Sequence, residues 1–111
     1  QGKPVFVDFT AAWCITCQVN KRVALSRSDV QQEFAQRGVA LLRADWTAQD
    51  PAITQALAAL GRNAVPVYAL YPPDPALPPQ LLPEILTPAI VVQALQGIAP
   101  ATNTARAVTS N

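Results

Sequence analysis

The stretch Val5-Phe6-Val7-Asp8-Phe9, followed shortly by Ala12-Trp13-Cys14-Ile15-Thr16-Cys17, decides the fold of this chain. The first part is apolar on both alternating faces apart from Asp8, which is typical of a strand covered on both sides. The second part holds both cysteines of the sequence, two residues apart, and a helical pattern follows. A strand that delivers a Cys-x-x-Cys pair to the first turn of a helix indicates redox chemistry.

The position of the cysteines predicts a separate role for each. Unpaired amides and the helix dipole favour an anion at a helix start, so we expect the Cys14 thiolate to be stabilised and to attack a partner disulfide. Cys17, one turn further in and less exposed, is then expected to attack Cys14 and release the reduced partner. Residues three apart share a helical face, so a disulfide fits between them. No cofactor is predicted beyond this redox-active disulfide.

Two other uses of the cysteine pair have less support. A structural disulfide usually closes a long loop, because the entropic gain grows with loop length, and this one would span only two residues. A metal site through Cys-x-x-Cys normally needs two more ligands, and the sequence has no His and no further Cys. A metal would therefore require a dimer. A non-catalytic module that binds a metal or a partner through the pair stays open as an alternative.

Three other residues are candidates for a role, and each also has an ordinary structural explanation. Asp8 is either a surface acid on a strand edge or an acid buried beneath the cysteine-bearing helix, where desolvation would raise its pKa and let it exchange a proton with Cys17. Trp13 is either a core aromatic or a partly exposed platform that touches substrate beside Cys14. Pro66 is, from the residues alone, a proline at a strand start, because cis bonds make up only about 5–6% of X-Pro bonds.

Composition limits the class of protein. The 111 residues suit one domain, and half of them are apolar, which is enough for a core. The net charge of +1, without a basic cluster, gives no support for nucleic-acid binding. No apolar run approaches the roughly 18–20 residues of a membrane span, and no signal peptide is visible. Because Gln1-Gly2-Lys3-Pro4 leads almost directly into a core strand, we expect the chain to be an excised domain of a longer protein. The isolated domain is expected to be monomeric.

The pattern along the chain predicts an α/β fold with the order β-α-α-β-α-β-β-α and a central sheet covered by helices on both faces. The first three strands are expected to be parallel and the last two antiparallel. Two helices are expected to begin at Asp50-Pro51 and Thr87-Pro88, each of which matches an N-cap followed by proline at the first helical position. The second, third and last helices are expected to end at Gly38, Gly61 and Gly97. We assign the domain to residues 1–98 and a frayed tail to residues 99–111.

Several local predictions are more specific. Ile15, Val19 and Val23 recur every four residues and predict the buried stripe of the first helix. Ser28 with Gln31 matches a capping box. The strand at 39–45 is expected to be largely buried. A fourth strand is expected at 81–86, and it must lie at a sheet edge because Pro83 lacks an amide donor.

The Trp13-Cys14-Ile15-Thr16-Cys17 motif, with Val65-Pro66 about fifty residues later, resembles the thioredoxin superfamily over residues 4–97. Within it, the chain is most similar to the C-terminal thioredoxin-like domain of the DsbD family of thiol:disulfide interchange proteins. The stretches that carry this similarity are 8–14, 18–21 and 45–50.

The resemblance implies a thioredoxin-like fold and a protein-disulfide reductase. It implies a periplasmic domain that takes electrons from a transmembrane electron-transporter domain of the same polypeptide and passes them to disulfide-bearing proteins. Cys14 would be the attacking thiol, Cys17 the resolving thiol and Asp8 the buried acid. Pro66 would be a cis-proline facing the disulfide, with Val65 and Trp13 beside it at the substrate. A free-standing thioredoxin-like reductase, or a factor for cytochrome c maturation, is the alternative within this fold.

The sequence departs from the family pattern at three places. Lys21 stands where relatives often carry an acidic residue, about one turn beyond the second cysteine. Ile15-Thr16 replaces the Gly-Pro of ordinary thioredoxins. The segment Pro72–Pro83 is longer and richer in proline than a simple hairpin, which suggests a surface specific to a partner.

Overall fold

The computed structural model describes residues 3–98, and they form a mixed four-stranded sheet with helices on both faces, in the predicted order. The first helix continues without a break into a π-helical segment, Lys21–Leu25, and we call residues 15–25 together the cysteine helix. The elements are β1 Val5–Thr10, α1 Ile15–Asn20, α2 Ser28–Gln36, β2 Ala40–Asp45, α3 Pro51–Ala59, β3 Val67–Tyr71, β4 Gln80–Leu81 and α4 Pro88–Leu95.

The strands lie in the order β2-β1-β3-β4. β1 and β2 are parallel, as predicted, but β3 runs antiparallel to β1, so the prediction of three parallel strands is wrong. Val67 lies opposite Phe9, at the end of the sheet where β1 finishes. The chain leaves β2 at this same end of the sheet, and the nine-residue α3 with the loop after it brings the chain back there. A parallel crossover would instead carry the chain to the opposite end before β3 begins.

Each face of the sheet has its own core. On one face Phe6, Tyr68 and Leu70 pack against α2, α4 and the cysteine helix, with the rings of Phe6 and Phe34 5.2 Å apart, edge to face. On the other face Phe9, Val67 and Ala69 pack with Trp46 and Leu57. Because side chains alternate along a strand, Asp8 shares the face of Phe6, beneath the cysteine helix.

The predicted buried stripe of the cysteine helix is wrong. Ile15 is 81% exposed, and Val19 and Val23 are exposed too. The side that packs on the sheet instead presents Cys17, Asn20, Ala24 and Leu25. A search for apolar periodicity passes over this stripe because a polar residue, Asn20, stands in the middle of it.

Local signals at helix ends are mostly confirmed. Asp50 accepts from the Ala52 amide at 2.8 Å, Thr87 accepts from the Ile90 amide at 3.2 Å, and Gly38 and Gly61 have positive φ. The capping box is wrong: α2 is capped by Arg27 without a side-chain bond, and the Gln31 side chain donates to the carbonyl of Leu25.

The edges of the sheet also differ from expectation. β2 is an edge strand with Leu41 and Leu42 exposed, so its predicted burial is wrong. β4 lies at the opposite edge, as predicted, but it is only two residues long and ends before Pro83. Within residues 3–98 no helix has both the length and the apolar character to cross a membrane. The predicted tail at 99–111 lies outside the described residues.

Candidate redox site

Cys14 and Cys17 form a disulfide with their Cα atoms 5.2 Å apart. Cys14 is the N-cap of α1, and its extended backbone (φ −92°, ψ 107°) turns the chain into the helix. Its amide donates to the Ala11 carbonyl at 3.1 Å, and its Sγ accepts from the Cys17 amide at 3.1 Å. The sulfur of Cys14 thus occupies the position where a capping oxygen accepts the free amides of a helix start, which favours its anionic form.

The segment before β3 lies at the end of the sheet where β1 finishes, next to the cysteines. Val65 packs against the small buried cluster of Ala11, Cys14 and Cys17. The Val65–Pro66 peptide bond is cis, as the resemblance implies, and Pro66 is buried. Two stretches separated by about fifty residues in the sequence therefore meet at the disulfide.

Trp13 is not a core aromatic, because 52% of it is exposed. Its indole Nε1 donates to the Thr47 carbonyl at 3.0 Å, and its ring centre lies 6.0 Å from that of Trp46. The Thr47 hydroxyl accepts from the amide of Ala12 at 2.8 Å. The turn that leads to Cys14 is therefore fastened to the loop after β2. Sequence reasoning missed Thr47, since nothing local connects it to a turn 34 residues away.

Asp8 is buried, with 6% of its surface exposed, so it is not a surface acid at a strand edge. It lines a cavity of about 190 Å³ between β1, β2 and the cysteine helix, together with Gln18, Lys21 and Arg43. Burial raises the pKa of Asp8 from 3.8 to about 6, while the positive charges of Arg43 and Lys21 act in the opposite direction. An acid with this pKa can take up or release a proton near neutral pH. Neither cysteine is among the described residues that line this cavity.

Asn20 is the second residue that sequence reasoning missed. It lies one turn beyond Cys17 and is almost completely buried. Its side chain bonds to Tyr68 of β3 and to the backbone of Glu84 and Leu86. The available signal was the Cys17-x-x-Asn20-x-x-x-Ala24 spacing, which places a polar residue on the buried side of the helix.

The arrangement of side chains offers no metal centre in the part of the chain that the structure describes, because no three His, Cys, Asp or Glu residues come together there. The two cysteine sulfurs are bonded to each other. The chemistry available at this site is therefore the making and breaking of that bond.

A family model described as thioredoxin-like matches residues 1–73, which is more than half of the chain. The chain belongs to the thioredoxin-like family. As a thioredoxin-like domain with a Cys-x-x-Cys disulfide, it combines the α/β fold and the site geometry expected of that family.

Known proteins resemble this thioredoxin-like domain in sequence and in structure. It is 39% identical over 64 residues to the thiol:disulfide interchange protein DsbD of Klebsiella pneumoniae, covering 55% of this chain and 10% of that protein. The chain spans about a tenth of the length of the DsbD proteins it matches.

The solved structures show the fold. The DsbD C-terminal domain of Neisseria meningitidis in its oxidised form matches with a TM-score of 0.71 and 23% identity, over 87% of this chain and 81% of that one. A thioredoxin from Thermus thermophilus matches with a TM-score of 0.70 and 18% identity, over 86% and 73%.

Proposed function

We propose that this domain is a thiol–disulfide oxidoreductase that reduces disulfides of partner proteins in the periplasm and takes its electrons from a membrane electron carrier. The observation that carries the proposal is the Cys14 sulfur at the first turn of the cysteine helix, where it accepts the Cys17 amide. The similarity to DsbD supports the compartment and the electron source.

The reaction transfers two electrons in two exchanges. In the reduced domain the Cys14 thiolate attacks one sulfur of the partner disulfide; that bond breaks, a Cys14–partner disulfide forms, and the first partner thiolate leaves. The Cys17 thiolate then attacks Cys14 Sγ, and the second partner thiolate leaves. The partner gains two electrons and two protons, and the domain ends with the Cys14–Cys17 disulfide. A dithiol on the electron carrier reverses both exchanges and restores the reduced domain.

Asp8 is the residue we assign to the proton of Cys17. The second exchange needs the Cys17 thiolate, and the domain has no His to accept its proton. Asp8 lies on the sheet face beneath the helix, and its pKa of about 6 suits a base near neutral pH. Asp8→Asn is therefore expected to shift the pH dependence of exchange; an unchanged pH profile would remove Asp8 from the mechanism.

Trp13, Val65 and Pro66 are the residues we assign to the partner. Val65 contacts the cysteine cluster, and the exposed indole of Trp13 flanks Cys14 with its orientation fixed by Thr47. The Pro66 nitrogen carries no hydrogen, so Pro66 cannot donate a backbone hydrogen bond to a partner.

The deciding experiment measures the reduction potential of the Cys14–Cys17 pair by equilibration with a dithiol buffer. We expect a value near that of thioredoxin, about −270 mV; a value near −120 mV would make the domain an oxidant and overturn the proposed direction. Trapping tests the order of attack. Cys17→Ser should accumulate a Cys14–partner disulfide in periplasmic extracts, whereas the matched variant Cys14→Ser should accumulate none.

A further inference from the structure

The carboxamide of Asn20 joins three segments of the domain. Its Nδ2 donates to the Tyr68 hydroxyl at 2.8 Å and to the Glu84 carbonyl at 2.7 Å, and its Oδ1 accepts from the Leu86 amide at 3.1 Å. A flipped amide would bring oxygen against the Glu84 carbonyl and nitrogen against the Leu86 N–H. Only one orientation satisfies all three partners.

The Asn20 side chain links the cysteine helix by hydrogen bonds to residues that are distant in the sequence. Within residues 3–98, the other side-chain hydrogen bonds of that helix reach residues no more than seven positions away. The remaining contacts of its buried side come from Cys17, Ala24 and Leu25, and apolar contacts do not fix a rotation or a height as hydrogen bonds do. Asn20 therefore supplies the directional, long-range hydrogen bonds that orient the helix on the sheet.

The attachment lies next to the reacting sulfurs. Asn20 is one turn beyond Cys17 on the same buried side, and its partner Tyr68 is three residues beyond Val65, which packs on the cysteines. The helix is thus held to the single segment 65–68 at two points, one at the disulfide and one a turn away. A shift of the helix at Asn20 would move Cys17 relative to Cys14 and to Val65.

We propose that Asn20 is a positioning residue for the second exchange, an inference that rests on the proposed function. By holding its turn of the helix against Tyr68, Glu84 and Leu86, it keeps Cys17 Sγ in line with Cys14 Sγ while the latter is bonded to a partner. The first exchange depends on Cys14 at the helix start and needs this attachment much less. The loss of Asn20 therefore slows one exchange and spares the other.

The test uses the reduced domain and 5,5′-dithiobis(2-nitrobenzoate), followed by stopped-flow absorbance. Attack by Cys14 releases the first thionitrobenzoate, and attack by Cys17 on the mixed disulfide releases the second, so the two exchanges appear as two phases. Asn20→Leu, similar in volume, should slow the second phase about tenfold, equivalent to about 1.4 kcal/mol, and change the first by less than about threefold. The control Ser28→Ala, at an exposed position of α2, should change neither phase.

An unchanged second phase in Asn20→Leu, or equal slowing of both phases, would overturn the proposal. If Asn20→Leu does not fold, Tyr68→Phe decides: it removes one acceptor and keeps the ring, and the proposal requires it to slow the second phase selectively. A wild-type domain that releases no thionitrobenzoate would instead refute the proposed function itself.

Discussion

The indole Nε1 of Trp13 donates a hydrogen bond of 3.0 Å to the backbone carbonyl of Thr47. Thr47 in turn accepts from Ala12 through its hydroxyl and bonds to Asp45. The residue next to Cys14 is therefore oriented by the loop that follows β2, at the end of the sheet where β1 also finishes. The turn that leads to Cys14 is therefore held by this loop as well as by its own helix.

Thr47→Val tests the loop attachment. The change keeps the shape of the side chain but removes the acceptor for the Ala12 amide, so we expect a loss of about 1 kcal/mol in the free energy of unfolding, measured with urea. Ser28→Ala is the control, because the Ser28 side chain caps nothing in α2 and should change stability by less than about 0.5 kcal/mol. A Thr47→Val domain as stable as wild type would show that the attachment does not contribute.

Asp8 should make stability depend on pH with a definite sign. Its pKa is raised by burial from 3.8 to about 6, so the folded domain binds the proton more tightly than the unfolded chain does. Its stabilising contribution is complete below pH 3.8 and is lost as the pH rises through about 6. Asp8→Asn should therefore exceed wild type in stability above pH 6, by up to about 3 kcal/mol, with the difference shrinking towards pH 4.

Urea unfolding of the oxidised protein between pH 4 and pH 8 measures this difference. Asp74→Asn serves as the control because it makes the same chemical change at an exposed position. If Asp8→Asn and wild type respond identically to pH, the buried carboxyl does not titrate in this range.

The two tyrosines should resist ionisation in the folded domain. Burial raises the pKa of Tyr68 from 10.0 to about 12, against the opposing effect of its bond from Asn20, and burial also raises the pKa of Tyr71. A tyrosine with a raised pKa stabilises the fold fully below pH 10 and loses that contribution as the pH passes about 12. Ultraviolet titration should show little phenolate at pH 10 in the native protein and about half ionisation in concentrated urea. Equal titration in both conditions would contradict the burial of Tyr68.

Two glycines near helix ends should respond differently to alanine. Gly61 has φ of +75°, a conformation that costs an L-residue about 1 kcal/mol, although a Cβ there would meet nothing within 4 Å. Gly97 would place its Cβ 3.4 Å from the Ala94 carbonyl oxygen, an ordinary contact, without a positive φ. We expect Gly61→Ala to lower stability by about 1 kcal/mol and Gly97→Ala to be neutral or slightly stabilising in urea unfolding. The reverse order would contradict the backbone geometry at Gly61.

Features that depend on neighbouring residues were predictable from the sequence. Asp50-Pro51 and Thr87-Pro88 fix two helix starts through local hydrogen bonds. The apolar run of Val5–Phe9 predicts a central strand. The direction of β3 was not predictable in this way, because it depends on which end of the sheet the chain reaches after α3. β2 has the composition of a buried strand, yet its place at the sheet edge depends on what pairs beside it.

The candidate site shows the same division. The Cys-x-x-Cys spacing and the residues before it predicted a disulfide at a helix start, which the structure contains. Asn20 and Thr47 were missed because their partners lie tens of residues away. The burial predicted for Ile15, Val19 and Val23 is wrong, since an apolar stripe on a helix predicts burial regardless of whether anything covers it.

The exposure of Ile15 has a consequence for how this domain can change. Ile15, the first of the two residues between the cysteines, lies outside all three buried clusters and is 81% exposed, so its identity is almost free of any folding requirement. Substitutions there alter the immediate surroundings of the sulfurs while the architecture stays intact. Substitution of Ile15 can therefore adjust the reactivity of the cysteine pair independently of the thermal stability of the domain.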